Sequence, residues 1–260
     1  MPPRPLILLS NDDGYLAPGL RALVDLLGRS ADVVVCAPET QQSTSGHSLT
    51  LTRPLRLRLV EPAVFAVDGT PADCVHVALN AGTRVLGRRP DLVVSGLNQG
   101  LNLGADVFYS GTVAAAREGA LRGVAALAAS ADPEADPGAA AELCARIVLE
   151  LLEIGAMGRP AGEATAPLVN VNFPPGKEWP VVATRLGSRL YDDIVEFRRD
   201  PRGREYLWLG GGGWRHQHVP GSDTEAYDRG AVSITPLLLD LTAAAGEAVA
   251  KRLAMAVASA

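Results

Sequence analysis

The sequence predicts an α/β protein: one core built on a mainly parallel sheet, with a projecting β-hairpin arm and a C-terminal helix. Three observations predict it. Short apolar, β-rich runs alternate with helix-spaced stretches through the first half of the chain, the pattern of βαβ units. With 260 residues and 47% hydrophobic content, the chain has ample apolar surface for a single large core. Finally, polar clusters follow directly on three of the apolar runs, as they do at the carboxyl edge of an open parallel sheet.

Leu6 to Leu9 reads as the first strand. Gly19 to Gly28 has helical spacing through Leu20, Leu23, Val24 and Leu27, and "DVVVCAP" is a second strand ending at Pro38. Arg56 and Arg58 alternate with Leu55, Leu57 and Leu59, as in a half-exposed strand. "GTPADCVHVALNAG" carries Thr70 as N-cap, Pro71 at the first helical position, Asp73 in the first turn and Gly82 as a stop. "DLVVS" is a third strand, "GTVAAAREGALRG" a helix and "VAALAAS" a fourth strand. After the loop "ADPEADPG", Ala139 to Ile154 is amphipathic, with Leu143, Ile147, Val148, Leu151 and Leu152 on one face and Glu142 four residues before Arg146. "PLVNVNFP" resumes strand. From Trp179 to Gly213 the pattern turns polar and irregular, and "RRDPRGREYLW" places a Pro-Gly turn between extended arms. "AVSITP" is a last strand, and Thr242 to Ala258 a terminal helix. There is no internal repeat.

Composition excludes several classes. A formal net charge of -5 argues against a surface for nucleic-acid duplexes, which needs clustered positive charge, and 5% aromatic residues argue against a base-stacking platform. Cys36, Cys74 and Cys144 are odd in number, far apart and set in apolar runs, which suits buried thiols in a reducing compartment. The first apolar run is too short for a signal-peptide core, and no later run reaches membrane-spanning length without charges. These readings predict a cytoplasmic protein with no membrane partner.

The chemistry lies in the clusters that follow the strands: Asn11-Asp12-Asp13-Gly14, "APETQQSTSGHS" and "SGLNQGLNLGADVFYSGT". Strand topology predicts that they converge on one edge. In a regular strand Asp12 and Asp13 would point to opposite faces; a turn at Gly14 lets both address one point, and two adjacent carboxylates call for a cation. Neutral oxygens at the same edge are the hydroxyls of Ser43, Ser45 and Ser48 and the amides of Asn98 and Asn102. Such an oxygen set suits Mg²⁺ or Mn²⁺. Standing alone, Asn-Asp-Asp-Gly reads as a turn. Ser110, Gly111 and Thr112 open a helix whose free amides and dipole make an anion site, or else form an ordinary N-cap with Thr112 as the capping residue. The glycines at 96, 100 and 104 match neither the dinucleotide nor the P-loop fingerprint. His47 is a candidate general acid or ligand; His216 and His218 have metal-like spacing but read as a solvated strand face. The arginines of "RRDPRGR" suit a subunit contact, a substrate lid or a solvated turn. No G-x-S-x-G elbow, zinc-protease helix or Cys/His pairing is present, which leaves metal-activated water as the hydrolytic hypothesis.

The blocks "ILLSNDDGYLAPGL", "VVVCAPETQQSTSGHSLT", "GTPADCVHVAL", "DLVVSGLNQGLNLGADVFYSGTVAAAREGAL", "DPRGREYLW" and "SDTEAYDRGAVSITPL" together resemble the SurE family, the survival protein E acid phosphatases and 5'/3'-nucleotidases. They span Ile7 to Pro236 in the expected order. The resemblance implies a Rossmann-like three-layer core over about 1–175 and 230–236, an arm over about 179–229, and a C-terminal helix over about 237–258, all in one domain spanning 1–260. It implies homodimers or homotetramers, and hydrolysis of nucleoside 5'- and 3'-monophosphates with one divalent metal, Mg²⁺ or Mn²⁺, per subunit. A broad-specificity acid phosphatase or short-chain exopolyphosphatase is the alternative, and a non-enzymatic nucleotide-binding module the rival from another class. The family's metal ligands fall on Asp12, Asp13, Ser43 and Asn98, with Asp12 and Asp13 the catalytic pair. Its phosphate-side residues fall on Asn11, Gly46, Asn102, Ser110, Gly111 and Thr112. Two features depart from the family pattern: Ser10 where threonine is common, and "GGGGW" from Gly210 to Trp214.

Overall fold

The computed structural model describes residues 3–156, 166–192, 194–210, 212–243 and 246–258. Strand β1 (Leu6–Ser10) is buried along its whole length. Its alternating side chains divide between two cores. Ile7 and Leu9 pack with Leu20, Leu23 and Leu27 of helix α1 (Pro18–Leu27); Leu6 and Leu8 pack with Cys74, Val75 and Ala78 of α2 (Pro71–Asn80). A strand covered on both faces has no solvated side, which is why this run reads as continuously apolar. Strands β2 (Asp32–Pro38), β5 (Leu92–Gln99), β6 (Ala125–Ala131) and β7 (Leu168–Phe173) lie beside it in the same sheet.

With β3 (Leu57–Glu61), β4 (Val64–Val67), β8 (Val181–Ala183) and β13 (Val232–Pro236), the strand order is β3-β4-β2-β1-β5-β6-β7-β13-β8. From β4 to β7 every neighbouring pair is parallel. β3 and β13 pair antiparallel with β4 and β7, and β8 pairs parallel with β13. Helix α3 (Gly111–Leu121) joins α2 on one face, and α4 (Pro137–Ala156) joins α1 on the other. The layers are therefore helix, sheet, helix, as expected. From β1 the chain moves outward to β2 and β4, then crosses back to β5 on the other side of β1, so the sheet reverses its order between β1 and β5. Ligands bind at such a switch point, outside the carboxyl ends of the strands. All three cysteines are buried and free.

The arm is an antiparallel ribbon. β9 (Ser188–Tyr191) pairs with β12 (Trp214–Gln217) near the core, and β10 (Val195–Arg199) pairs with β11 (Glu205–Leu209) beyond it. Asp200 closes the predicted "DPRGR" turn by accepting from the backbone amides of Arg202 and Arg204. Every residue of β10 and β11 is exposed, and Arg198 pairs with Glu196 within the ribbon. The arm is shorter than the stretch from 179 to 229 because both ends fold onto the core. Val181–Ala183 becomes the sheet's edge strand, and α5 (Asp223–Asp228), capped by Ser222, buries Asp223 and Thr224. Edge pairing is a backbone event and leaves little trace in side-chain pattern.

One histidine departs from its expected setting. The His216 side chain is 4% exposed, its Nδ1 2.7 Å from Asp228 Oδ1 and its ring in mutual contact with those of Trp214 and Tyr227. α5 folds over that side of β12 and covers it, whereas His218 is exposed as expected. The final helix, α6, spans Glu247–Ala258. Residues 244–245 of the stretch predicted as helix from Thr242, and Gly211 within Gly210–Trp214, lie outside the described residues.

Candidate active site

The site begins where β1 stops. Asn11 brackets Gly14 with both ends of its amide: Nδ2 donates to the Gly14 carbonyl at 2.9 Å, and Oδ1 accepts from the Gly14 amide at 3.1 Å. Gly14 sits at φ +99°, a conformation that costs glycine little. Past this turn the two carboxylates meet different neighbours at the same sheet edge. The Thr112 hydroxyl at the start of α3 donates to Asp12 Oδ1 at 2.5 Å, and the Gln99 amide at the end of β5 donates to Asp13 Oδ2 at 3.5 Å. Asn11, predicted on the phosphate side, is fully buried and holds this turn.

Burial pushes the Asp12 carboxyl up to about 6; the Thr112 hydroxyl pulls the other way and the Asp13 charge adds to the rise. Burial also raises Asp13, against hydrogen bonds from the Gln99 amide and the Gln41 side chain. Among the described residues no Arg, Lys or His forms an ion pair with either. Two adjacent, desolvated carboxylates without a cation are an electrostatic cost that a bound divalent ion would offset.

The loop after β2 closes over this point. Gln42 donates its amide to the Asp12 carbonyl at 2.7 Å, and Gly46 donates to the Tyr109 carbonyl at 3.0 Å. Between them lie Ser43, on the exposed part of the loop, and Ser45, whose hydroxyl is buried without a hydrogen-bond partner. A Cβ added at Gly111 would lie 2.8 Å from Asp12 Cβ and 3.0 Å from Ser45 Oγ, so glycine is what lets turn, loop and helix meet. Ser48 donates back to the Ser45 carbonyl.

The start of α3 differs from the simple N-cap reading. Ser110, not Thr112, is the cap: its Oγ accepts from the Val113 amide at 3.0 Å. Thr112 lies inside the first turn, and its hydroxyl is thereby available to Asp12. At the end of β5, Asn98 turns its Nδ2 to the Gly100 carbonyl, so its Oδ1 is the atom left to address a ligand. Asn102 is buried in a knot: its Nδ2 donates to Ser130 Oγ, its amide to Asn172 Oδ1, and its carbonyl accepts from Asn170 and Asn172. Asn170 and Asn172 were not among the predicted site residues. Their signal was present, since two asparagines spaced two apart within an apolar strand put paired amides on one face. His47 turns its Nε2 to Glu118 Oε2 at 3.0 Å.

The four residues predicted as metal ligands, Asp12, Asp13, Ser43 and Asn98, carry only oxygen donors of the kind that suits a hard divalent cation: two carboxylates, a hydroxyl and an amide oxygen. Among the described residues no group of three or more His, Cys, Asp or Glu is placed to hold a metal ion, so the two carboxylates would depend on neutral oxygens to complete a site.

Fold and site together define a doubly wound α/β protein with two adjacent carboxylates and a helix N-terminus meeting at the topological switch point. Residues 7–193 match the family model described as Survival protein SurE, and the chain belongs to the SurE family. It is similar to the 5'-nucleotidase SurE of Sorangium cellulosum (strain So ce56), 67% identical over 251 residues that cover 96% of each chain. It is 48% identical to the 5'-nucleotidase SurE of Nitrosococcus oceani over 240 residues, covering 91% of this chain and 92% of that one. Among solved structures it is similar to the SurE protein from Aquifex aeolicus, 37% identical, with a TM-score of 0.79 over 96% of this chain and 99% of that one.

Proposed function

We propose that the protein is a metal-dependent phosphomonoesterase that hydrolyses nucleoside 5'- and 3'-monophosphates to nucleoside and phosphate. The observation that carries this reading is the Asp12–Asp13 pair, desolvated, without a cationic partner among the described residues, and tied by Thr112 to the N-terminus of α3. Asp12 and Asp13 hold one Mg²⁺ or Mn²⁺ with Ser43 and Asn98. When bound, the ion supplies charge neutralisation and acidifies water. The Gly111 amide, at the positive end of α3, would receive a phosphate oxygen, while the Thr112 amide and hydroxyl both serve Asp12, and Gly46 lines the same edge. Asn11 and Asn102 act one step back: the first keeps the aspartate turn closed, and the second locks the chain after β5 onto β6 and β7. The protein works in the cytoplasm as a homodimer or homotetramer; among the described residues no helix is long and apolar enough to cross a membrane.

The test is phosphate release from AMP, GMP, their 3' isomers, p-nitrophenyl phosphate and short polyphosphate, each with Mg²⁺, Mn²⁺ or chelator. Asp12→Asn and Asp13→Asn should each lower the metal-dependent rate on the preferred nucleotide by about 100-fold or more. Variants as active as the parent would remove the site. A rate highest on p-nitrophenyl phosphate or polyphosphate would replace the nucleotidase with the broader phosphatase.

A further inference from the structure

Glu118 lies on α3 and is 2% exposed, yet three side chains hydrogen-bond to its carboxylate. His47 Nε2 is 3.0 Å from Oε2, His76 Nδ1 2.9 Å from Oε1, and Arg122 Nε 2.8 Å from Oε1. Burial alone would push its carboxyl up, but these three donors outweigh burial and hold it down at about 2. The reaction as proposed makes no direct use of this group. His76 comes from α2, which packs against α3, and Arg122 is the residue that ends α3. His47 comes from the loop that carries Ser43, Ser45 and Gly46.

That loop is fastened at both ends. Gln42 donates to the Asp12 carbonyl upstream; downstream, Thr70 donates to the Ser48 carbonyl and Thr50 donates twice to the Asp73 carboxylate. In between, Thr44 has φ +58°, a conformation that a threonine keeps only where its surroundings impose it. Along this stretch the Gly46–Tyr109 backbone bond and the His47–Glu118 pair tie the loop to α3 and the turn before it. α3 therefore fixes two things at once. Its first turn holds Asp12 through Thr112, and about 9 Å further along its axis Glu118 holds the loop.

We propose that Glu118 is a positioning residue, acting through His47 to set the Ser43–Gly46 segment at its distance from Asp12 and the N-terminus of α3. The inference rests on the reading of Ser43 as a metal ligand. Groups that orient metal ligands from behind govern affinity without touching the ion, and their loss costs about 10- to 100-fold in binding.

The experiment titrates chelator-stripped full-length protein with Mn²⁺ by calorimetry and follows AMP hydrolysis in parallel. His47→Ala is expected to weaken Mn²⁺ binding about tenfold and to lower kcat with KM for AMP little changed. His47→Gln, which keeps a donor on the loop, should recover most of the affinity. Glu118→Gln, which keeps an acceptor, should lose less than Glu118→Ala. Combining His47→Ala with Glu118→Ala should add nothing to the larger single loss, because both remove one link. If His47→Ala binds Mn²⁺ as tightly as the parent, the positioning role is overturned, whether or not its thermal midpoint falls. If the parent itself takes up no Mn²⁺, the metal site fails, and this inference with it. The two failures are distinguishable because only the second affects the parent.

Discussion

Two buried carboxylates, Asp12 and Glu118, meet α3 at different points along its length and are driven in opposite directions. Burial dominates for Asp12, whose donors are a hydroxyl and amides, and its carboxyl rises to about 6. Glu118 has two imidazoles and a guanidinium, enough to overcome the same effect and hold it at about 2. Glu118 finds its partners within the chain; Asp12 has no cationic partner among the described residues. The sign of the Glu118 shift fixes its influence on stability. A folded-state value below the unfolded one stabilises the fold above about pH 4.5, and that contribution is lost as pH falls toward 2. Chemical denaturation of metal-free protein between pH 5 and 2 should show Glu118→Gln losing less stability than the parent over this range, by on the order of 3 kcal/mol. Parallel losses in the two proteins would mean that the carboxylate is not held by its partners. Asp12 and Asp13 stood out in the sequence as candidates for a cation only beside the oxygens of Ser43 and Asn98; alone, Asn-Asp-Asp-Gly reads as a turn. Glu118 did not stand out, because a glutamate in "AREG" resembles any solvated helix residue until His47 and His76, distant in sequence, are brought to it.

Each element's identity rests on local chemistry, and the helix starts show how far that chemistry can be read. "GTPAD" predicts the opening of α2 correctly. Thr70 Oγ1 accepts from the Asp73 amide, the Asp73 carboxylate accepts from the Thr70 amide, and Pro71 occupies the first turn. Such a reciprocal cap is local in sequence and so visible there. Thr70→Ala should lower the unfolding free energy by about 1 kcal/mol, measured as a shift in urea midpoint at unchanged slope; an unchanged midpoint would show that the cap contributes nothing. "YSGTV" is harder, because Ser110 and Thr112 are equally good capping residues by type. The structure gives the cap to Ser110 and turns Thr112 to Asp12, a choice made by a turn 100 residues away in the chain. β8 and α5 show the same limit: one is held by pairing with β13, the other by packing beside the arm, and neither has a strong period of its own.

At the scale of the molecule, what stands out is apolar surface with no cover among the described residues. No residue of α6 is buried, and Val249, Leu253 and Val257 form an exposed stripe spaced four apart. Phe197, Trp208 and Leu209 are exposed on the arm. An amphipathic helix gains stability by burying its apolar face, and a second copy of the chain would supply that surface. A Val249→Glu/Leu253→Glu variant should therefore elute as a smaller species than the parent, with mass read by light scattering; a parent already monomeric at micromolar concentration would sink the expectation. The sequence by itself determined the α/β class, the hairpin, the opening of α2 and the convergence of three polar clusters on one edge, because strand burial, turn chemistry and the parallel-sheet edge are written in short-range patterns. Tertiary structure alone decided that Asn11 and Asn102 serve as braces, that Thr112 serves Asp12, that His216 is covered and that His47 answers to Glu118. Each of those depends on which distant side chain fills the space opposite, and a pattern of neighbours along the chain carries no record of that.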